Sequence, residues 1–362
     1  MRVVVLSEIV AGSMFAHAVN TVNMAQGFAQ AGHDVTFITQ RGLPRLDDLR
    51  ARYGLSQSFR WWQVRGLARV APFLPESWRY TAQVLARLPL IRPQVVFTRA
   101  YLAPLWTARL GYPTIAETHA AVGYESPAFS AFLRATRLPA FRALVTIAPD
   151  LADYYVARGV PREKIVILPT GVDVSRWRPP TQLPPSPYDG PGPHIVYSGH
   201  LYDYKGIPAM LEAARLLPEC QFHLVGGTDR DVARQRQRAV ELGLSNLVLH
   251  GLKSQSELPP YLWHADVLLL PPSAQHPSAR WTSPVKLGEY LASGRPIVAT
   301  DIAALRHWLS EDEVRFCSPD DGAALAQAVR AALAHPPDPA KALAKAESFS
   351  YVNRAQALLS RL

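Results

Sequence analysis

The run Thr282-Ser283-Pro284-Val285-Lys286-Leu287-Gly288-Glu289-Tyr290-Leu291-Ala292-Ser293-Gly294 holds the residues best placed for chemistry. Ser283 suits a helix N-cap, Pro284 the first helical position and Gly294 the C′ stop. The free amides and positive dipole end of such a helix attract an anion. Lys286, in the first turn, opposes the dipole; a bound diphosphate would account for it. Glu289 follows one turn later on the same face, where the plainer alternative is an ordinary surface ion pair. A second loop, Gly199-His200-Leu201-Tyr202-Asp203-Tyr204-Lys205-Gly206, precedes the expected helix Ile207–Leu217. There Lys205 can set an ammonium beside phosphates at the helix start.

Other chemical signals are weaker. Asp229-Arg230-Asp231 is a D-x-D triplet of the kind that binds metal and diphosphate, but it opens a charged helical stretch, where carboxylates cap favourably. The eleven histidines show no metal-ligand spacing, so no catalytic metal is expected. No G-x-x-x-x-G-K-[ST] or G-x-S-x-G element occurs, against a P-loop kinase or an α/β-hydrolase. Asp173 and Asp203 are candidate bases, with turn capping the better account of Asp173.

Strands must carry these loops. Apolar, β-branched runs fall at Val3–Leu6, Asp34–Thr39, Gln94–Thr98, Thr114–Glu117, Ala143–Ile147 and Ile165–Leu168, with helical patterns between most of them. The alternation resumes at His194–Ser198, Gln221–Val225, Leu247–His250, Val267–Leu270 and Pro296–Ala299. It implies βαβ units and an α/β fold of two doubly wound Rossmann-like domains facing a cleft. Between them, seven of the sixteen residues from Arg178 to Pro193 are proline, which suits a stiff interdomain linker. The expected division is 1–177, linker 178–193, 194–345, and a C-terminal helix within 346–362 packing back on the first domain. Ligands of such sheets bind beyond the carboxyl ends of the strands.

The series Gly199-x5-Lys205-Gly206, Val225-Gly226-Gly227, His250-Gly251, Ala265-Asp266 and Ser283-Pro284-x-Lys286-x-x-Glu289-Tyr290 resembles the donor half of family 4 retaining glycosyltransferases (group 1, GT-B fold). Leu168-Pro169-Thr170-Gly171-Val172-Asp173 is similar to that family's P-N-G-V-D element. His17, Gly32-His33-Asp34-Val35 and Glu117-Thr118-His119 extend the likeness over nearly the whole chain. The resemblance implies that Lys205 holds the donor diphosphate and stabilises the departing nucleotide, and that Glu289 binds the ribose. Backbone at Gly251, Leu252 and Lys253 would cradle the base, and amides of Ser283, Pro284 and Val285 would meet the phosphates, with Lys286 adding charge. Gly199, His200 and Gly226 would line the same donor site, Gly12 would let backbone approach the diphosphate, and His119 would lie near the donor sugar. Two departures stand out: His200 takes the place of the family's arginine, and Trp281 that of its first glutamate.

Composition fits this picture. The 362 residues are 48% hydrophobic and 19% charged, enough for two cores, and the net charge of +9 favours anionic partners. Cys220 and Cys317 read as buried core thiols suited to a reducing cytoplasm. The N-terminal apolar run is too short for a signal peptide, and no 18-residue apolar stretch occurs. The segment Arg60-Trp61-Trp62-Gln63-Val64-Arg65, continuing to Arg69, Phe73, Trp78, Arg79 and Tyr80, suits either core packing or contact with an anionic membrane.

The function expected is metal-independent, retaining transfer of a hexose-type sugar from a UDP- or GDP-sugar to a glycan, lipid-linked or small-molecule acceptor. The donor serves as co-substrate, no further cofactor is expected, and the setting is cytoplasmic or peripheral at the inner membrane face. A nucleotide-sugar epimerase and a catalytically silent sugar-nucleotide or nucleic-acid binding protein are the alternatives. No basic tail marks a nucleic-acid partner.

Overall fold

The computed structural model describes residues 1–362 apart from 14, 43–44, 65–72 and 122–125, and apart from the side chain of residue 46. Two compact units divide the chain: Met1–Gly171 with Ser350–Leu362, and Val172–Phe349.

The first unit is built on a seven-stranded sheet: β1 (Arg2–Val10), β2 (Asp34–Gln40), β3 (Arg60–Val64), β4 (Val95–Thr98), β5 (Thr114–Glu117), β6 (Phe141–Thr146) and β7 (Ile165–Ile167). Its order is β3-β2-β1-β4-β5-β6-β7, with every neighbouring pair parallel. Val3, Val4, Val5 and Leu6 are almost wholly buried, as expected of a parallel strand covered on both faces. The C-terminal helix Tyr351–Leu359 belongs to this unit and packs on the helix Ala16–Gln30.

The second unit has a six-stranded parallel sheet: β8 (His194–Ser198), β9 (Gln221–Val225), β10 (Leu247–Gly251), β11 (Val267–Leu270), β12 (Ile297–Thr300) and β13 (Arg315–Cys317). Its order, β10-β9-β8-β11-β12-β13, puts the carboxyl ends of β8, β9 and β10 side by side.

The Pro-rich segment, expected as a stiff interdomain linker, does not mark the boundary between the units. It packs within the second unit, and the chain passes between units at Gly171–Val172 and Phe349–Ser350 instead. Trp177, just before it, and Tyr188 within it are buried. The Trp177 carbonyl accepts from Trp263 Nε1 at 2.7 Å, that of Pro184 pairs with His264 Nε2 at 2.8 Å, and the Tyr188 hydroxyl donates to the Tyr261 carbonyl. Proline keeps the segment out of helix and sheet, while these anchors fasten it along its length.

The aromatic–arginine segment is divided residue by residue. Trp61 and Trp62 lie in β3; Trp61 packs 4.9 Å from Phe37 and donates to Thr39 Oγ1, and Tyr80 is buried with its hydroxyl on the Ile38 carbonyl. Phe73, Leu74 and Trp78 are exposed, Phe73 at 94%. Arg65 and Arg69 lie outside the described residues. β3 and β13 escape the sequence pattern because Arg60-Trp61-Trp62-Gln63-Val64 and Arg315-Phe316-Cys317 lack a continuous β-branched run. Both cysteines are buried, and burial pushes Cys220 to about 11 and Cys317 to about 12.

Candidate functional site

In the second unit, three loops leave neighbouring strands as a connected set. The Gly199 amide donates to the Val225 carbonyl and the Gly226 amide to the Gly251 carbonyl, both at 2.8 Å. A side chain at Gly226 would meet backbone, and one at Gly199 would displace the Lys286 ammonium. A Cβ at Gly226 would come within 2.3 Å of the Gly199 carbonyl oxygen, and one at Gly199 within 2.7 Å of Lys286 Nζ. Their φ values of 129° and 135° are also ones L side chains rarely adopt. Lys286 therefore reaches over the end of β8, where its ammonium lies 3.7 Å from the Tyr197 ring centroid.

The helix that carries Lys286 runs Val285–Ser293 and starts one residue later than expected. Pro284 is its N-cap, with an extended ψ of 135° and no side-chain cap, so Ser283 does not cap it. Proline has no N–H, so the amides facing out before the first intrahelical bond are those of Val285 and Lys286. Ser283 is buried beside them. The Tyr290 hydroxyl accepts from the Ser198 amide at 2.8 Å and fixes this helix to β8.

Lys205 ends the turn Asp203–Lys205, and Gly206 then opens the helix Ile207–Leu216. Neither Lys205 nor Lys286 forms an ion pair among the described residues. Burial lowers the pKa of Lys205; burial first and Lys205 second carry that of Lys286 well below the usual lysine range, against the pull of Glu289. The two lysines thus act on one another where burial excludes water, a repulsion that an anion would relieve. His200 gives no permanent charge: burial, Lys286 and Lys205 all lower its pKa, so the ring is neutral near pH 7.

Glu289 is buried and accepts no hydrogen bond from the described residues. Burial raises its pKa from 4.5 to about 7, with Lys286 and Arg176 pulling the other way. A raised carboxyl pKa makes the folded state bind more protons than the unfolded chain between those values, so its cost grows as pH rises from 4.5 through 7. The shift is worth about 3 kcal/mol at most. Glu289→Gln is therefore expected to melt several degrees above wild type at pH 8 and close to it at pH 5. A gap of constant size across that range would contradict the assignment.

Gly251 ends the edge strand β10 and Leu252 and Lys253 follow it; Leu252 is 75% exposed, and Lys253 Nζ lies 5.8 Å from the Tyr261 ring. Asp231 takes a capping role and Asp229 lies in the first turn of the same helix. Thr228 is the N-cap of Asp229–Glu241 in a reciprocal box with Asp231. Among the described residues, no group of three or more His, Cys, Asp or Glu is arranged to hold a metal ion.

The first unit holds His119 and Gly12. The Gly12 amide donates to the Tyr53 hydroxyl at 3.1 Å. His119 follows β5, with Nε2 2.5 Å from Glu117 Oε1. Glu117 is buried and also accepts from Arg354 Nη2 and from Asn20 Nδ2, with Arg99 4.0 Å away. Burial works to raise its pKa, but Arg354, His119 and Arg99 together hold it well below the carboxylate range. Burial and Arg99 take His119 down to about 4 despite Glu117. The ring is thus neutral near pH 7 with its proton on Nε2, facing the carboxylate. Nδ1 is left as the acceptor. Glu117 and Arg354 were not among the expected site residues, because they meet only when the C-terminal helix folds back 237 positions along the chain.

Known proteins resemble this chain throughout its length. The family described as Glycosyl transferases group 1 matches residues 192–335, and Glycosyltransferase Family 4 matches residues 18–176. A protein of Escherichia coli (strain K12), "Putative colanic acid biosynthesis glycosyltransferase WcaL", is 31% identical over 180 residues, which are 48% of this chain and 43% of that protein. Among solved structures, HepE of Anabaena in complex with UDP superposes with a TM-score of 0.75 at 14% identity over 100% of both chains. WaaG, a glycosyltransferase involved in lipopolysaccharide biosynthesis, does so at 0.63 and 18% over 98% of this chain and 95% of its own.

Proposed function

The chain belongs to the group 1, family 4 glycosyltransferases of the GT-B fold, and we propose that it moves a hexose from a UDP- or GDP-sugar to a glycan or lipid-linked acceptor with retention of configuration. The observation that carries this reading is the pair of lysines, Lys205 and Lys286, that act on each other without an ion pair among the described residues, with the outward amides of Val285 and Lys286 at the same helix start as Lys286. Together they suit a diphosphate and oppose the charge that builds on it as it leaves. They also supply the positive charge that a metal would otherwise bring, so the reaction is metal-independent. That HepE was solved with UDP and with UDP-glucose supports a uridine donor.

In this reading Glu289 accepts the ribose hydroxyls, which favour its ionised form, and the Gly251–Lys253 backbone holds the base. Neutral His119, fixed by Glu117, offers Nδ1 to a sugar hydroxyl. The anomeric carbon–oxygen bond breaks with its electron pair passing to the diphosphate. The acceptor oxygen bonds to the same face, and its proton passes to the departing phosphate oxygen, so no protein base is needed.

Exposed Phe73, Leu74 and Trp78 support an acceptor that lies at a membrane surface, and the net charge of +9 suits anionic headgroups. No helix among the described residues is long and apolar enough to cross a membrane.

The test is turnover of UDP-glucose, UDP-galactose and GDP-mannose without acceptor, followed as released nucleoside diphosphate, with and without EDTA. One donor is expected to be hydrolysed slowly and equally in both conditions, giving the retained anomer. Hydrolysis abolished by EDTA, or none with any donor, would overturn the reading.

A further inference from the structure

Three histidines form a ladder across three neighbouring strands of the second unit. His194 on β8 lies 3.1 Å, Nδ1 to Nε2, from His223 on β9, and His223 Nδ1 lies 3.0 Å from His250 Nε2 on β10. The middle ring spends both nitrogens on its neighbours, so the three do not converge on a point as metal ligands would. Each neutral ring can donate once and accept once, which is what a ladder of rings requires.

The ladder is closed in from several sides. Tyr188, from the Pro-rich segment, lies 4.7, 4.1 and 6.0 Å from the three rings in turn. Asp266 accepts from the His194 amide at 2.7 Å; Asp189 and Lys253 act electrostatically on His250, and Tyr261 meets it edge-on at 5.0 Å. Burial and the two flanking rings take His223 down to about 3, and burial and Lys253 take His250 to about 4, so both are neutral at physiological pH.

One end of the ladder is the residue before the Gly251–Lys253 loop. β10 is an edge strand, paired only with β9, so side-chain ties count for more there than in the sheet centre. The loop's first residue is tied through Gly226, and its last lies over Tyr261, whose carbonyl accepts from Tyr188. We propose that His223 is a positioning residue for the donor nucleobase, holding the Gly251–Lys253 loop in its binding shape through His250. This rests on the reading of that loop as the base site. Preorganising a loop adds affinity by removing the cost of ordering it on binding.

The base and the diphosphate can be separated by choice of probe. Calorimetric titration would compare UDP, GDP and inorganic pyrophosphate on wild type, His223→Phe and His223→Gln, with donor hydrolysis alongside. For His223→Phe, affinity for the nucleotide that wild type binds is expected to fall about tenfold. Pyrophosphate affinity and kcat at saturating donor are expected to stay within about twofold, since the lysines are untouched. His223→Gln, which keeps one donor and one acceptor, is expected to lie between, and it carries the test if the phenylalanine variant does not fold. Equal loss of nucleotide and pyrophosphate affinity, or no change in either, overturns the proposal. Wild type that binds neither nucleotide nor pyrophosphate would instead sink the donor-site reading on which it rests.

Discussion

Lys205→Ala is expected to lower kcat/KM for donor hydrolysis by about 10²–10³-fold, the range lost when one preorganised charge-stabilising group is removed from an enzyme. The ammonium sits at the turn that opens a helix, unpaired among the described residues, with its pKa already lowered by burial. A group in that state is dehydrated in advance and waits for its counter-charge. Most of the loss should fall on kcat, because the charge on the departing diphosphate is larger in the transition state than in the bound donor. Lys205→Arg keeps the charge and should retain part of the rate. Activity of Lys205→Ala within tenfold of wild type would remove Lys205 from the reaction.

The second large effect concerns folding. Arg354→Met leaves Glu117 charged, buried and short of its strongest partner. Breaking a buried pair in this way costs about 3–5 kcal/mol, which for a unit of this size lowers Tm by on the order of 10 °C. The sign with pH follows from Glu117. Its folded pKa lies below the ordinary 4.5, so its contribution is present above 4.5 and fades as pH falls through the folded value. In the variant burial dominates, the carboxyl takes up its proton more readily, and the gap to wild type should narrow between pH 7 and pH 4. Adding Glu117→Gln to Arg354→Met should recover part of the loss at pH 7. A gap that is the same at both pH values would show that Arg354 acts by packing alone.

The sequence was most readable where local chemistry and the fold agree. Buried parallel strands need apolar runs, and eleven of the thirteen strands among the described residues announce themselves that way. The stretch around Lys286 and Glu289 was legible because a helix start, a misplaced cation and a following carboxylate fall within a few residues. Gly294 marks the end of that helix in sequence and structure alike, while its start lies one residue later than the sequence suggests, since proline fits the N-cap as well as the first turn.

What stayed hidden depends on distance along the chain. Nothing near Arg354 hints at Glu117, and nothing near His194 hints at His223 or His250, although each lies on a strand that was foreseen. The Pro-rich segment misled for a related reason. Proline content shows that a segment is neither helix nor central strand, but its anchors, Trp177 and Tyr188, show their role only once Trp263 and Tyr261 are in place.

The most direct test of the central claim, that the second unit binds a nucleoside diphosphate through Lys205 and Lys286, is calorimetric titration of wild type and Lys205→Ala with UDP, GDP, ADP and dTDP. One nucleotide, UDP or GDP, is expected to bind wild type and to lose about tenfold or more in affinity in the variant. Binding of none of the four to wild type, or equal binding to both proteins, would contradict it.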